Sequence, residues 1–133
     1  MASYTPTVEI ANNAKMALKV REEKPDSQKG MTAVGLARAR DLANRRPLSE
    51  ETVRRMKAYF DRHEVDKQGN TWNDKGKGWQ AWNGWGGDAG RSWANRIVSQ
   101  LNKEQNRSYN NDYNDNTDDM SYASYLYRKT IKL

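Results

Sequence analysis

The stretch Gly76-Lys77-Gly78-Trp79-Gln80-Ala81-Trp82-Asn83-Gly84-Trp85-Gly86-Gly87-Asp88-Ala89-Gly90-Arg91-Ser92-Trp93 holds four of the five tryptophans in the chain. Each indole that goes inside removes roughly 150–250 Å² from water, more than any other side chain available here. Trp79 and Trp82 are three apart, so one short helical turn puts them on the same face. Gly84, Gly86 and Gly87 then break that turn, because glycine accepts backbone angles that other residues avoid. Asp88 is expected as the N-cap of a last helix carrying Trp93. The pattern predicts a tight Trp/Gly-rich corner, with Trp79, Trp82, Trp85, Asp88 and Trp93 in structural roles.

Outward from the corner, the rest of the chain reads as helix. Thr5-Pro6 is a helix start, and Val8, Ala11, Ala14 and Leu18 recur at helical spacing, with Ile10 and Ala17 widening the face. The expected span is 6–23, ended by Pro25, with residues 1–4 frayed before it. Thr32 caps a second helix to about Ala43. Leu48-Ser49-Glu50-Glu51-Thr52-Val53 is the clearest local signal. Ser49 is the cap, the glutamates lie at the positive end of the helix dipole, and Leu48 staples onto Val53. A third helix with Val53, Met56, Phe60 and His63 in one row follows to about Arg62. Residues 64–75 are polar and read as exposed. The last helix spans about Ala89 to Lys103, with Trp93, Ile97 and Leu101 in one row.

These signals predict an all-α fold: a compact bundle of about four helices with the Trp/Gly corner and an extended C-terminal tail. The domain division is a helical domain over 1–105 and, over 106–133, an Asn/Asp-rich polar linker followed by a Tyr-rich docking tail.

Composition limits the partners. The chain has 133 residues, 35% apolar and 30% charged, so one small core is all it can build. It has no cysteine, which excludes disulfides and thiolate metal sites and fits a reducing compartment. No apolar run approaches a membrane span, and no membrane partner is expected. The net charge is +6, and residues 29–57 alone carry eight Lys and Arg against three Asp and Glu. A positive face of that kind favours nucleic acid or an acidic partner.

Catalytic constellations are missing. The one histidine, His63, lies on an apolar helix row, where a satisfied boundary residue is the plainer reading. His63-Glu64-Val65-Asp66 lacks the second histidine of a zinc-protease helix. Asp112-Tyr113-Asn114-Asp115 starts like a calcium loop, but Thr117 stands at position six and Ala123 at position twelve. The glycines match no phosphate loop. No catalytic residue, cofactor or metal ligand is expected. A hydrolase would need His63 and Asp88 in one cleft.

Three binding constellations remain. The tryptophans offer faces on which the bases of a single strand could stack, but among glycines at helical spacing core is the plainer reading. Residues 33–62 resemble a helix-turn-helix pair in outline, with Arg38, Arg45, Arg46, Arg54, Arg55 and Lys57 facing nucleic acid or an acidic partner. An ordinary helical hairpin with a solvated basic face is the plainer alternative. In the tail, Tyr122, Tyr125, Leu126, Tyr127, Ile131 and Leu133 are expected to dock on a partner, since tyrosine is enriched in contact surfaces.

The segments 31–44, 48–67 and 82–93 together resemble a small domain of tailed-bacteriophage proteins that have no assigned activity, and resemble segments of phage head-maturation protease polypeptides. The pairing of Arg62-His63-Glu64-Val65-Asp66-Lys67 with Trp85-Gly86-Gly87-Asp88 carries the likeness, which covers about residues 8–101. It implies phage origin and a role in the head or virion, and brings no catalytic residue with it. The expected function is that of a non-enzymatic structural and interaction protein, located in the virion or in the cytoplasm of the infected bacterial host. Its expected partners are other phage virion proteins, copies of itself included, and DNA. The alternative is a DNA-binding regulator using residues 33–62.

Overall fold

A computed structural model describes the backbone of residues 2–115 and the side chains of residues 2–107. The fold is all-α, and the described residues form five α-helices, two short 3-10 turns and a two-stranded ribbon. In order these are β1 (Ser3–Tyr4), α1 (Val8–Glu23), α2 (Ala33–Ala43), β2 (Leu48–Ser49), α3 (Glu50–His63), α4 (Lys77–Gly84) and α5 (Gly87–Asp115). The 3-10 turns are Asp26–Gln28 and Glu64–Gln68. The Tyr-rich docking residues Tyr122, Tyr125, Leu126, Tyr127, Ile131 and Leu133 lie outside the described residues. Residues 2–98 form one compact unit, which contains every core residue named below, and the described residues from Ser99 onward belong to a second.

Two predicted caps are in place. Thr32 accepts from the Gly35 amide at 3.1 Å, and Ser49 accepts from the Thr52 amide at 3.2 Å. Each satisfies an amide that the first helical turn leaves without a partner.

The first helix differs from its expected form. It starts at Val8, and the cap is Thr7, which accepts from the Ile10 amide at 3.2 Å. Thr5 is not the cap, because the chain before it is already committed. Ser3 and Tyr4 pair antiparallel with Ser49 and Leu48, so they are not frayed. Pro6 is buried, and its carbonyl accepts from Arg45 Nε at 2.8 Å. The buried residues of α1 are Ile10, Ala11, Ala14 and Ala17, while Val8 is 57% exposed.

Residues 64–75 are not simply an exposed turn. Trp72 reaches the core and meets Trp82 edge-on, with centroids 6.2 Å apart. The final helix also departs from expectation at both ends. It begins at Gly87, which places Asp88 inside its first turn rather than at the cap. It continues through Asn106 to Asp115, a stretch read as linker from its composition. Asn and Asp lower helix propensity by less than about 1 kcal/mol each, and no Gly or Pro interrupts residues 91–115.

The core of the first unit gathers Ile10, Leu42, Val53, Met56, Phe60 and Trp82, all fully buried or nearly so. α1 packs against α2 and α4, and α2 also against α4. The corner between α4 and α5 turns on Gly86 and Gly87, at φ +114° and +68°. A Cβ on Gly87 would stand 2.7 Å from Asn13 Nδ2 and 2.8 Å from Asn83 Oδ1, so both the angle and the space call for glycine.

Candidate functional site: a basic cleft beside an aromatic stack

The six cations expected to face a polyanion all have partners within the chain. Arg38 and Arg46 share Asp41, at 3.1 and 3.3 Å. Arg54 pairs with Glu50 at 3.2 Å, Arg55 with Glu51 at 2.7 Å and Lys57 with Asp61 at 2.8 Å. Arg45, at φ +51°, gives its Nε to the Pro6 carbonyl. The three pairs along α3 have the i,i+4 spacing and each stabilises the helix by about 0.2–0.5 kcal/mol. Of the five in ion pairs, Arg46 and Arg55 keep the most open side chains, at 67% and 63% exposed.

The tryptophan corner splits into two arrangements. On one side is a closed knot around Trp82, which is 1% exposed. Phe60 meets it edge-on at 4.8 Å, and its Nε1 donates to Asp88 Oδ1 at 2.9 Å. Lys67 donates to the same oxygen at 2.7 Å while its ammonium lies 4.7 Å from the Trp82 ring centre. The Lys67 hydrogen bond, with that of Trp82, holds the Asp88 carboxyl below the usual carboxylate range despite partial burial. Arg91 grips both Glu64 oxygens at 3.0 Å, which lowers the Glu64 pKa and raises that of Arg91. The run Arg62–Lys67 and the Trp85–Asp88 turn, far apart in sequence, are thus joined by Lys67 and Asp88. Trp79 is half-buried, and Lys75 lies 5.3 Å over its ring. Trp93, further along α5, is 7% exposed.

On the other side three rings form a column. Trp85 stacks on Tyr59 at 4.7 Å and 11°, and Tyr59 stacks on His63 at 4.6 Å and 25°. The Arg38 guanidinium lies 5.9 Å from the Trp85 ring at one end, a cation–π distance. At the other end His63 Nδ1 is 3.0 Å from Asp66 Oδ2. Tyr59, Trp85 and His63 line a cleft of about 700 Å³. Its remaining walls come from residues 29–35, the second half of α3 and the start of α4. Lys29, Arg55, Arg62 and Lys77 stand around it with Asp66 as the one carboxylate, so cations are in excess. Lys29 has Asp26 at 3.4 Å and Arg55 has Glu51, whereas Arg62 and Lys77 have no ion pair among the described residues.

Two features fix the cleft. The Gln80 amide, fully buried, accepts from the Gly30 amide at 2.7 Å and donates to the Gln28 and Lys75 carbonyls at 3.1 and 3.0 Å. It ties the 28–30 loop onto the start of α4. A Cβ on Gly30 would stand 2.7 Å from the Lys77 carbonyl oxygen, so the two backbones touch there. Met31, on the rim, is at φ +70°, an angle that costs a non-glycine residue of order 1–3 kcal/mol.

One polar group in the cleft wall is left over. Tyr59 is 5% exposed, and its hydroxyl is buried with no hydrogen-bond partner among the described residues. Burial pushes its pKa well above the ordinary phenol value, with Asp66 adding to the rise and Arg62 opposing it. The hydroxyl therefore stays protonated and is a donor without an acceptor. His63 and Asp88 line different clefts. No set of three or more metal-ligating side chains comes together among the described residues, and no described helix is long and apolar enough to cross a membrane.

Sequence reasoning missed Tyr59, Arg62, Lys77 and Gln80. Tyr59 and His63 at i,i+4 were a signal for a ring contact on one helix face. Nothing local marks Gln80. No family model matches the chain, and neither a curated protein nor a solved structure matches it.

Proposed function

We propose that this chain is a non-enzymatic interaction protein of a tailed bacteriophage, a head-associated virion component that binds other virion proteins through its basic helical face and its Tyr-rich tail. The phage setting rests on the resemblance of residues 31–44, 48–67 and 82–93. The mode of binding rests on one observation: the cations of the predicted face are interleaved with carboxylates, Asp41, Glu50, Glu51 and Asp61. A duplex backbone presents only negative charge, and those carboxylates would have to be brought against it. A protein surface can match both signs at once, which sets register and excludes wrong partners. Copies of the same chain meet this requirement as well as a different virion protein does.

The runner-up, a DNA-binding regulator using residues 33–62, draws on the open guanidiniums of Arg46 and Arg55. Mass spectrometry of purified particles tests the first reading, which expects the chain at a fixed copy number per particle. Its absence from particles, together with duplex binding that weakens steeply across a salt series, would transfer the assignment to the regulator. Deleting residues 106–133 should leave the helical domain folded and abolish incorporation.

A further inference from the structure

We infer that the cleft beside the Trp85–Tyr59–His63 column binds a nucleoside phosphate, with the base stacked on His63 and the phosphate held by Arg62 and Lys77. This goes beyond the partner-binding reading and stands without it. The ring column has one capped end and one open end. Trp85 lies under the Arg38 guanidinium, whereas His63 has Tyr59 on one face and, among the described residues, no ring on the other. The His63 side chain is 41% exposed, so that second face is reachable from the cleft. A planar heterocycle laid there extends an existing stack, and every nucleobase offers the π-face this needs.

The polar groups set the sign and kind of the second moiety. Arg62 and Lys77 have no ion pair or side-chain hydrogen bond among the described residues. Lys29 and Arg55 add positive charge from the rim. α4 starts at Gly76 without a side-chain cap, and Lys77 and Gly78 at that start line the cleft. Asp66, the one carboxylate, is engaged by His63. A site made of donors, with cations in excess, calls for a ligand rich in acceptor oxygens and carrying more than one negative charge. Phosphate esters meet that description better than a single carboxylate. The cavity, about 700 Å³, lies within the range of small-ligand sites and far exceeds a bare phosphate. The fold thus offers an aromatic surface and an anion hole in one space, which is the shape of a nucleotide.

The shared chemistry, a nucleoside carrying a phosphate, belongs equally to a free nucleotide and to the phosphorylated end of a strand. The test uses the full chain near neutral pH and follows the ring protons of His63 by NMR, since it is the only histidine. Titration with adenosine monophosphate should move these signals upfield and saturate. Ribose 5-phosphate, which brings the anion without the base, should bind more weakly and leave them nearly unmoved. Replacing the two exposed cations together, Arg62→Ala with Lys77→Ala, should raise the Kd for adenosine monophosphate about tenfold or more, with the circular dichroism unchanged. His63→Ala, which lacks the ring probe and is therefore followed by titration calorimetry alongside the unaltered chain, should bring adenosine monophosphate down to the affinity of ribose 5-phosphate. A short 5′-phosphorylated single strand that binds more tightly than the mononucleotide identifies the strand end as the source, and equal or weaker binding identifies the free nucleotide. The inference is overturned if neither the mononucleotide nor the strand moves the His63 signals at millimolar concentration. It is equally overturned if ribose 5-phosphate binds as tightly as adenosine monophosphate.

Discussion

Trp82 and Trp85 are three residues apart, one on α4 and one just past its end, yet the groups around them are arranged on different principles. Around the Trp82 indole N–H the polar groups answer one another: the N–H has Asp88, Asp88 has Lys67, and Lys67 rests over the same ring. Around Trp85 the rings stack as tightly, but the polar groups do not balance. Tyr59 keeps an unmatched hydroxyl, and Arg62 and Lys77 border the cleft without an ion-pair partner among the described residues. The same residue types within one turn thus make a sealed structural knot on one side and a receptive surface on the other. Burying unsatisfied polar groups costs stability. An imbalance confined to a cleft wall is therefore where a ligand is to be sought, and a balanced cluster is where stability is to be sought.

That contrast can be tested by substitution, starting with the largest effect. Trp82→Ala should lose about 3–5 kcal/mol, through lost burial and the cavity left among Phe60, Trp72 and Tyr59, as read from urea unfolding. A loss below about 1 kcal/mol would mean that the knot is not the centre of the fold. Gln80→Ala should cost roughly 2–3 kcal/mol, because the Gly30 amide and the Gln28 and Lys75 carbonyls all lose their partner. It should also speed hydrogen exchange at the Gly30 amide, and unchanged exchange there would show that the loop is held by something else.

A smaller effect concerns acid. The folded-state pKa of Asp88 is depressed, so its contribution is present above the unfolded value of about 4 and is lost as pH falls through the folded value. The side chain is 75% exposed, so solvent screening keeps this below about 1 kcal/mol. Asp88→Asn, which retains an acceptor for Trp82, should flatten part of the fall in melting temperature between neutral and acidic pH. Least of all, Tyr59→Phe should leave stability unchanged or raise it by up to about 1 kcal/mol, because it removes a buried group that has no partner. A clear loss would place a bound water on that hydroxyl and bring the two sides of the corner closer in kind.

The caps at Thr32 and Ser49 and the helices they start were legible because capping is a contact across three residues. The same local reasoning failed at α1, where Thr5 and Thr7 are equivalent as sequence signals. What separates them is the pairing of Ser3–Tyr4 with Leu48–Ser49 and the burial of Pro6, both made with distant residues. Trp72 stands alone in a polar run and gave no period to read, so its packing on Trp82 was invisible. The excess of positive charge over residues 29–57 was plain to count. Its pairing along α3 was also readable, since Glu50–Arg54, Glu51–Arg55 and Lys57–Asp61 all have i,i+4 spacing. The cleft was not readable, because its cations come from residues 29, 55, 62 and 77 and meet only when α3, α4 and the 29–35 segment converge.

By itself the sequence determined that this chain is helical, where two of its helices begin, and that tryptophans near one corner supply the core. Those are consequences of short-range bonding and of apolar area, which are properties of residue order and type. Only the tertiary structure decided which tryptophan is sealed and which borders a cleft, and that a glutamine would be the buried clasp of that cleft. The reason is that hydrogen-bond satisfaction is a property of neighbours in space. Gly30 and Gln80 are fifty residues apart along the chain and 2.7 Å apart in the fold.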